Sequence, residues 1–355
     1  MDPERSDLPR RIRDLEDRIV EATLERQRAR NGGAENRFGQ VGRRRSREDA
    51  HYNLLNLAEA LECESSALFG AYVHWLRSVL EARGVSIEAL AEHLRLLGDT
   101  IAREIPEATE SLLPACIDEA ERVLSSPSPS EEQTPYVTPG EGLAGRYLSA
   151  ALEGDRGAAV SLVVGAVEDG LSVRDAYLTV LQPVQREVGR LWERAEISVA
   201  AEHCATAITH LVLSSLYPYI ASSHDRRGTV VITSAAGELH EVGGRMVADF
   251  FDMAGWDAYF LGASTPVDSV MDMARARKAD VLGVSASTIG SLGSVRLVAE
   301  ALEQQNGDRP ILLVGGRVFD LVPDLWKSVD ADAYAPDADA AVERCEQILS
   351  AGDSP

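Results

Sequence analysis

The 355-residue chain lacks the features that crosslink a protein or anchor it in a membrane. Its four cysteines are scattered, with no Cys-x-x-Cys pair, at Cys63, Cys116, Cys204 and Cys345. Such scatter favours the reduced thiols of a cytoplasmic protein over a disulfide framework or a zinc site. The sequence has no run of about 18 apolar residues and begins MDPERSD, so we predict neither a membrane span nor a signal peptide. We expect a soluble, cytoplasmic protein with no membrane partner.

Positive charge is also scarce. The sequence has 35 Lys and Arg against 57 Asp and Glu, a net charge of −22, whereas nucleic-acid binding relies on clustered Lys and Arg. We therefore expect no nucleic-acid partner. The one basic cluster, Arg43, Arg44, Arg45 and Arg47, lies in a glycine-rich, charged stretch. That setting is typical of a solvated loop.

The N-terminal 49 residues predict a helix followed by a flexible linker. Within residues 1–30, apolar side chains recur at alternating four- and three-residue steps at Leu8, Ile12, Leu15, Ile19 and Ala22. This seam has the spacing of a coiled coil but spans only about two heptads. It fits either a short coiled coil or a helix packed on its own chain. Residues 31–49 are predicted to be the linker.

Residues 50–124 predict an all-α domain of three or four helices, because apolar residues follow helical spacing throughout. Tyr72, His74, Trp75 and Arg77 stand out in a chain with only 5% aromatic residues. On a helix, Tyr72 and Trp75 share one face, and we expect His74 and Arg77 to share another. Core packing explains the aromatic residues without any ligand.

A proline- and serine-rich linker, residues 125–139, precedes a predicted four-helix bundle in residues 140–224. The helices are predicted at 143–151, 158–167, 173–192 and 197–220. We expect Pro183 to interrupt the third helix. The fourth is apolar on nearly every side, which is typical of a helix in the middle of a bundle.

Residues 225–355 predict an α/β domain. Apolar strands at 229–232, 258–261, 281–285, 311–314 and 333–334 alternate with helices expected from Glu241, Pro266, Leu292, Val318 and Asp337. Such alternation requires a parallel, doubly wound sheet of five strands, as in Rossmann-like and flavodoxin-like folds. The fold class is therefore multidomain: an N-terminal all-α domain, a four-helix bundle and this α/β domain.

The loop after the first of these strands carries the most informative pair of side chains, Glu238 and His240. In extended backbone, residues two apart point the same way, so Glu238 can hold one ring nitrogen of His240 while the other faces outward. A carboxylate that fixes the imidazole tautomer prepares it to ligate a metal. A hydrogen-bonded turn with no metal is the simpler alternative.

The segment Glu238-Leu239-His240-Glu241-Val242-Gly243 resembles the D/E-x-H-x-x-G signature of cobalamin-binding domains. The resemblance implies that His240 lies beneath cobalt in place of the dimethylbenzimidazole base, whose nucleotide tail threads into the sheet. In that family a serine-containing stretch follows the third strand and a Gly-Gly follows the fourth. The matching residues here are Ser285, Ser287, Thr288, Gly315 and Gly316. Their backbone and small side chains are predicted to line the slot for the tail.

The bundle carries a second match. Trp192, nine further residues, and then Glu202 and His203 resemble the Trp-x9-Glu-His pattern in the caps of cobalamin photoreceptors, where it surrounds an adenosyl group. Trp192 can cover one side of the purine, and Glu202 can accept hydrogen bonds from the hydroxyl or amino groups of the adenosyl ligand. In the carotenoid-gene photoreceptors a histidine follows the tryptophan and ligates cobalt after illumination. Here that position is Glu193, so this ligation is not carried over.

These resemblances imply a light sensor that binds adenosylcobalamin between the cap and the sheet domain. Photolysis would change the domain arrangement and the state of a homo-oligomer formed through the N-terminal seam. A helical domain ahead of this core is similar to the photocobilins, which makes biliverdin a candidate second chromophore, contacted by Tyr72, His74, Trp75 and Arg77.

Two alternatives remain open: a corrinoid methyl carrier that serves methyltransferases, and a cobalamin-responsive anti-repressor with a protein partner. The sequence shows no nucleophile paired with a base and no phosphate loop. We therefore expect no catalytic residues and no enzymatic activity of its own.

Overall fold

The computed structural model describes residues 7–30, 39–127, 135–220, 227–305 and 309–352. The chain divides into two compact units, Met1–Pro129 and Ser130–Pro355. The first is helical, as predicted, with α1 (Leu8–Asp14), α2 (Glu16–Arg30), α3 (Gly39–Glu62), α4 (Ser66–Ala82), α5 (Ile87–Glu104), a 3₁₀ turn at Pro106–Glu110 and α6 (Leu113–Ser125). Ser65 and Ser86 cap α4 and α5 by accepting hydrogen bonds from Leu68 N and Ala89 N.

The N-terminal seam packs inside its own unit. Ile12 and Ile19 are fully buried, and α2 lies against α3 and α5. A helix packed on its own chain is therefore the correct alternative. The coiled coil, and with it the predicted oligomer surface through Ile12, Leu15 and Ile19, is wrong, because Ile12 and Ile19 are fully buried in this unit and Leu15 is partly buried.

The predicted linker at 31–49 is also wrong over its second half, since α3 begins at Gly39; residues 31–38 lie outside the described part. Arg44 and Arg47 lie on α3 and form ion pairs instead of extending from a loop. Arg47 lies 2.9 Å from Asp17 and 3.1 Å from Glu21, and Arg44 lies 3.4 Å from Glu48. The side chain of Arg43 is outside the described residues.

The second unit begins with a helical bundle, which we call the cap. Its helices are α7 (Gly142–Leu152), α8 (Arg156–Glu168), α9 (Val173–Ala176), a π turn at Tyr177–Leu181, α10 (Gln182–Glu193), α11 (Val199–Leu216) and a 3₁₀ turn at Tyr217–Tyr219. One face of α11 is buried, but Val199 and Leu211 are exposed. The prediction of an apolar helix surrounded on all sides is therefore wrong.

Pro183 does not interrupt the third helix of the cap. In a regular α-helix the proline ring clashes with the carbonyl four residues earlier. The π turn precedes Pro183 directly, and the Gln182 N–H bonds the Tyr177 carbonyl across it. This wider turn makes room for the ring, so the helix continues from Val173 to Glu193.

The remainder of the second unit is the predicted doubly wound domain. Its strands are β1 (Thr229–Ser234), β2 (Asp257–Phe260), β3 (Val281–Ser285), β4 (Ile311–Gly315) and β5 (Ala333–Ala335), and its helices are α12 (Val242–Met253), α13 (Val267–Arg277), α14 (Leu292–Glu303) and α15 (Ala338–Gly352). All strand pairs are parallel, in the order β2-β1-β3-β4-β5. Helix α12 packs with α15, and α13 packs with α14. The helix expected from Val318 is only a 3₁₀ turn, Arg317–Asp320.

The cap and the sheet domain share one hydrophobic core. Met246 and Phe250 of α12 and Ala338 of α15 pack with the buried residues of the cap, including Tyr177 and Leu213. The cap therefore lies on the α12 and α15 side of the sheet. No helix in the part of the chain that the structure describes has the length and apolar character that a membrane span requires.

Candidate functional site

The predicted pair of Glu238 and His240 is present. Glu238 Oε1 lies 2.5 Å from His240 Nδ1. Because an ionised carboxylate only accepts hydrogen bonds, Nδ1 carries a proton, and in the neutral ring it is Nε2 that has the lone pair. The Glu238 side chain is 2% exposed, whereas the His240 side chain is 68% exposed. The free ring nitrogen thus faces outward from a fixed ring.

The Glu238 carboxylate is the centre of a dense set of polar contacts. Oε1 also accepts from the backbone N–H groups of Leu239 and His240. Oε2 accepts from the N–H groups of Ser287 and Thr288 at 2.9 and 3.1 Å. The hydroxyls of Thr288 and Ser291 lie 3.2 and 3.1 Å from the same oxygen. Glu238 therefore joins the loop after β1 to the loop after β3.

These contacts set the ionisation of both side chains. Burial alone would raise the pKa of Glu238, but the hydrogen bonds from His240 and Ser287 outweigh it and lower the pKa to about 2. In return, the bond to Glu238 raises the pKa of His240. The charge of Glu202, on α11 of the cap, raises the His240 pKa further, and that of Arg317 lowers it. Glu202 and Arg317 therefore both act electrostatically on the imidazole.

Small residues form a row across the carboxyl edge of the sheet. Ser234, Ser285, Gly315 and Ala335 are neighbours in register on β1, β3, β4 and β5. Gly316 follows with φ of 101°, and a Cβ there would lie 2.2 Å from the Ala286 carbonyl oxygen. Only glycine fits that position. The three sequence elements expected to form the slot for the nucleotide tail are therefore adjacent.

Two residues of that slot have a second contact that the sequence did not predict. Thr288 and the backbone of Ser287 contact Glu238, so they also hold the carboxylate that orients His240. Ser285 remains in the row of small residues. Ser291 was not predicted, although its hydroxyl lies 2.7 Å from the Thr288 hydroxyl. Its position three residues after Thr288 was the signal that could have identified it.

The other residues of the signature frame the imidazole. Leu239 is 78% exposed beside it, and a Cβ at Gly243 would meet open space. Glu241 is the N-cap residue of α12 and lies 3.5 Å from His210 of the cap. Val242 packs against the core shared with the cap. An exposed apolar side chain and an uncovered glycine leave room at the His240 face for a large flat group.

In the cap, Trp192 lies at the end of α10, and Glu202 and His203 lie in the first turns of α11. Glu202 Oε1 lies 2.9 Å from Thr206 Oγ1, which is 3.1 Å from Gln185 Oε1. His203 Nε2 is 3.3 Å from Glu202, and its side chain is 75% exposed. Thr206 was missed although it lies four residues after Glu202 on the same helix, which was the available signal. Gln185 was missed because its contact with Thr206 joins two helices and leaves no short sequence pattern.

Continuing inward, Gln185 Nε2 donates to Thr209 Oγ1 at 2.6 Å, and Thr209 Oγ1 is 2.7 Å from the buried hydroxyl of Tyr147. The single hydroxyl proton of Thr206 can go to Glu202 or to Gln185. The bonds from Gln185 to Thr209 and Tyr147 therefore form a separate buried network behind Glu202.

The four residues suggested for a bilin do not form one site. Tyr72 and Trp75 do share a face, with ring centroids 6.1 Å apart. His74 is exposed, however, and Arg77 is buried, so the two side chains do not line one pocket. Arg77 donates to the Val123 and Ser126 carbonyls at the end of α6. Tyr72 donates to Asn53. The long arginine side chain satisfies the end of a helix, which is a structural role.

The residues at the sheet edge fit a corrinoid. A neutral imidazole with an anchored Nδ1 and an exposed Nε2 is the donor that a cobalt ion needs from one side. The row of small side chains next to it allows close approach of a tail. His240 would be the metal ligand, and the residues after β3 and β4 would contact the tail.

Comparison with known proteins agrees with this fit. Residues 228–345 match the family model of the B12 binding domain, and residues 143–217 match a second model with the same description. A corrinoid protein of Desulfitobacterium hafniense is 27% identical over 206 residues, which are 56% of this chain and 94% of that protein. Dimethylamine corrinoid protein 3 of Methanosarcina mazei is 26% identical over 171 residues, 46% of this chain and 99% of that protein.

The solved monomethylamine corrinoid protein of Methanosarcina barkeri superposes with a TM-score of 0.52 at 22% identity. The match covers 58% of this chain and 98% of that one, and it shows a common fold. The relatives named here are corrinoid proteins and not photoreceptors.

Proposed function

Since residues 143–217 and 228–345 form a cobalamin-binding region, we propose that this protein is a corrinoid carrier that works with a partner protein. Its main support is the His240 imidazole, held at Nδ1 by the buried Glu238 carboxylate 2.5 Å away and open at Nε2. The similarity to corrinoid proteins over 46–56% of the chain favours a carrier over a sensor. The cofactor supplies a cobalt–carbon bond that can transfer a methyl group or be broken by light.

The residues of this chain divide the work. His240 would hold the cobalt, and Glu238 fixes the tautomer of His240. The small residues from Ser234 to Ala335 would receive the tail, and the cap supplies Trp192 and Glu202. We propose that the chain itself carries no catalytic nucleophile or base, and that a methyltransferase partner performs the transfer.

A light sensor is the second candidate, and one feature favours it. Glu202 accepts from Thr206 at 2.9 Å and its charge raises the pKa of His240, so a carboxylate of the cap lies within electrostatic reach of the site. A positioned acceptor in the same bundle as Trp192 suits an adenosyl group with hydroxyl and amino donors. A methyl group has no such donors.

Cofactor preference separates the two functions. The purified protein is titrated in the dark with methyl-, hydroxo- and adenosylcobalamin, and its mass is measured before and after illumination. The test variant is Trp192→Ala. The control variant is Trp326→Ala, because Trp326 is a half-buried tryptophan outside the cap. A carrier should bind all three forms with affinities within about threefold, which is less than ~1 kcal/mol, and keep its mass in light.

The opposite result would replace the carrier with the sensor. In that result, adenosylcobalamin binds about tenfold more tightly than methyl- and hydroxocobalamin, and the mass of the protein changes in light. Both effects are lost in Trp192→Ala and retained in Trp326→Ala. If none of the three cobalamins binds, both proposals fail.

A further inference from the structure

The helix that follows His240 is attached to the cap along one face. Glu241, Arg245 and Asp249 are four residues apart, so they lie above one another on α12. Glu241 Oε1 lies 3.5 Å from His210 Nε2. Arg245 Nη2 donates to Ser214 Oγ at 3.0 Å.

The third contact of this row comes from the π turn. Tyr177 donates its hydroxyl to Asp249 Oδ2 at 2.7 Å. Its ring also lies 6.1 Å, between centroids, from that of Phe250. His210 and Ser214 are also four residues apart, on α11, so they match the spacing of Glu241 and Arg245. Helix α11 and the π turn are therefore joined to α12 over more than two of its turns. We call these three polar contacts the cap–α12 row.

The cap–α12 row begins next to the predicted cobalt ligand. Helix α12 starts at Val242, two residues after His240, and its N-cap residue Glu241 is the first member of the row. On the other side of His240, Glu238 is fixed to the loop after β3 by Ser287 and Thr288. The imidazole is thus held between one attachment to the sheet domain and one to the cap.

We propose that Tyr177 and Ser214 are positioning residues for His240: through Asp249 and Arg245 they make the approach of the imidazole to cobalt depend on where the cap lies. This inference rests on the proposed cobalamin site and adds a coupling to it. Whatever displaces the cap, whether a docked partner or a change of the upper ligand, breaks these contacts and loosens the start of α12 beside His240. The requirement for such coupling is a contact made in one arrangement and lost in the other.

Conservative variants test the coupling. Tyr177→Phe removes one hydroxyl and keeps the ring against Phe250, and Ser214→Ala removes an exposed hydroxyl with little effect on folding. The control is Tyr219→Phe, since Tyr219 donates its hydroxyl to Glu168 inside the cap and is not part of the row. Two readouts are used: the absorption spectrum of bound hydroxocobalamin, which reports the histidine ligand, and amide hydrogen exchange of residues 238–243 without cofactor.

We expect each variant to lower the histidine-ligated fraction or the affinity by about fivefold, the effect of one hydrogen bond, and to speed exchange of the Leu239 and His240 amides. Tyr219→Phe should change neither. The inference is overturned if Tyr177→Phe and Ser214→Ala lower the melting temperature but leave both the spectrum and the exchange of residues 238–243 as in the unmodified protein.

The two readouts separate this inference from the proposed function. Exchange needs no cofactor, so it tests the link between the row and the loop even if cobalamin does not bind. A protein that binds cobalamin through His240 but shows no response in either variant retains the proposed function and loses the coupling.

Discussion

Replacing Glu238 with glutamine is the most direct test of the site. Glu238→Gln keeps the size and shape of the side chain but replaces one carboxylate oxygen with an NH₂ group. In the structure both oxygens face donors: the His240 ring and the backbone N–H groups of Leu239 and His240 on one side, and the N–H groups of Ser287 and Thr288 on the other. Either orientation of the amide sets its NH₂ against N–H groups, so buried donors lose their acceptor.

The size of the effect follows from the ionisation of the buried carboxylate. The pKa of Glu238 is lowered from 4.5 to about 2, and with ~1.4 kcal/mol per pKa unit the ionised form stabilises the folded state by about 3 kcal/mol near pH 6. We expect Glu238→Gln to lower the free energy of unfolding by roughly that amount. Because the ring of His240 also loses its orienting acceptor, cobalamin affinity should fall about 10- to 100-fold, as is usual when a ligand loses its hydrogen-bonded partner.

The same pKa shift predicts a pH dependence. A depressed pKa gives stability that is complete above the unfolded value of 4.5 and is lost as the pH falls towards about 2. The difference in stability between the unmodified protein and Glu238→Gln should therefore shrink across that interval. The raised pKa of His240 acts in the other direction, and its share is lost as the pH rises above 6.5 through the folded-state value.

Urea unfolding of the cofactor-free protein at several pH values, together with cobalamin titration by absorption, measures both effects. Glu187→Gln is the matched control: Glu187 is as deeply buried but pairs with Arg190 inside the cap. It should lose stability and keep its cobalamin affinity. If Glu238→Gln binds cobalamin within about twofold of the unmodified protein, or if its stability deficit is constant from pH 6 to 2, the role given to this carboxylate is wrong.

Two further predictions concern the ligand and its slot. His240→Ala should fold normally by circular dichroism and give a bound-cobalamin spectrum without the histidine ligand; a spectrum identical to that of the unmodified protein would remove His240 from beneath cobalt. Gly316→Ala should destabilise the protein by roughly 2–3 kcal/mol, because φ is 101° and the new Cβ would lie 2.2 Å from the Ala286 oxygen. Gly165→Ala, within α8 and with open space around the new Cβ, is its control and should stabilise by up to about 1 kcal/mol in thermal melts; equal effects of the two changes would show that position 316 tolerates a side chain.

The sheet domain was predictable because its signals are periodic and local. Alternating strands and helices require a parallel sheet, and parallel strands bring their carboxyl ends to one edge. The meeting of Glu238, Ser285 and Gly315 follows from that rule. The contact of Glu238 with Thr288 does not, because it joins two loops 50 residues apart, and no spacing within either loop encodes it.

Other errors arose where tertiary contacts overrode composition. Glycine and clustered charge at 39–49 indicate a loop, yet Arg47 finds acidic partners on α2 and the helix forms. The apolar seam was correctly identified as helical, but periodicity alone does not say whether Ile12 meets another chain or its own. Likewise, Arg77 is polar by composition and is buried because α6 ends within its reach.

The π turn at Tyr177–Leu181 has a consequence for how the cap tolerates changes in chain length. Each residue of an α-helix turns the chain by about 100°, and a π turn holds one residue more than the α-helix it replaces. Deleting one residue there would rotate Tyr177 away from α12 relative to Trp192 on α10. The same deletion would return Pro183 to a regular helix that has no room for its ring. A homologous chain one residue shorter at this point should therefore lack both the proline and the tyrosine that meets Asp249.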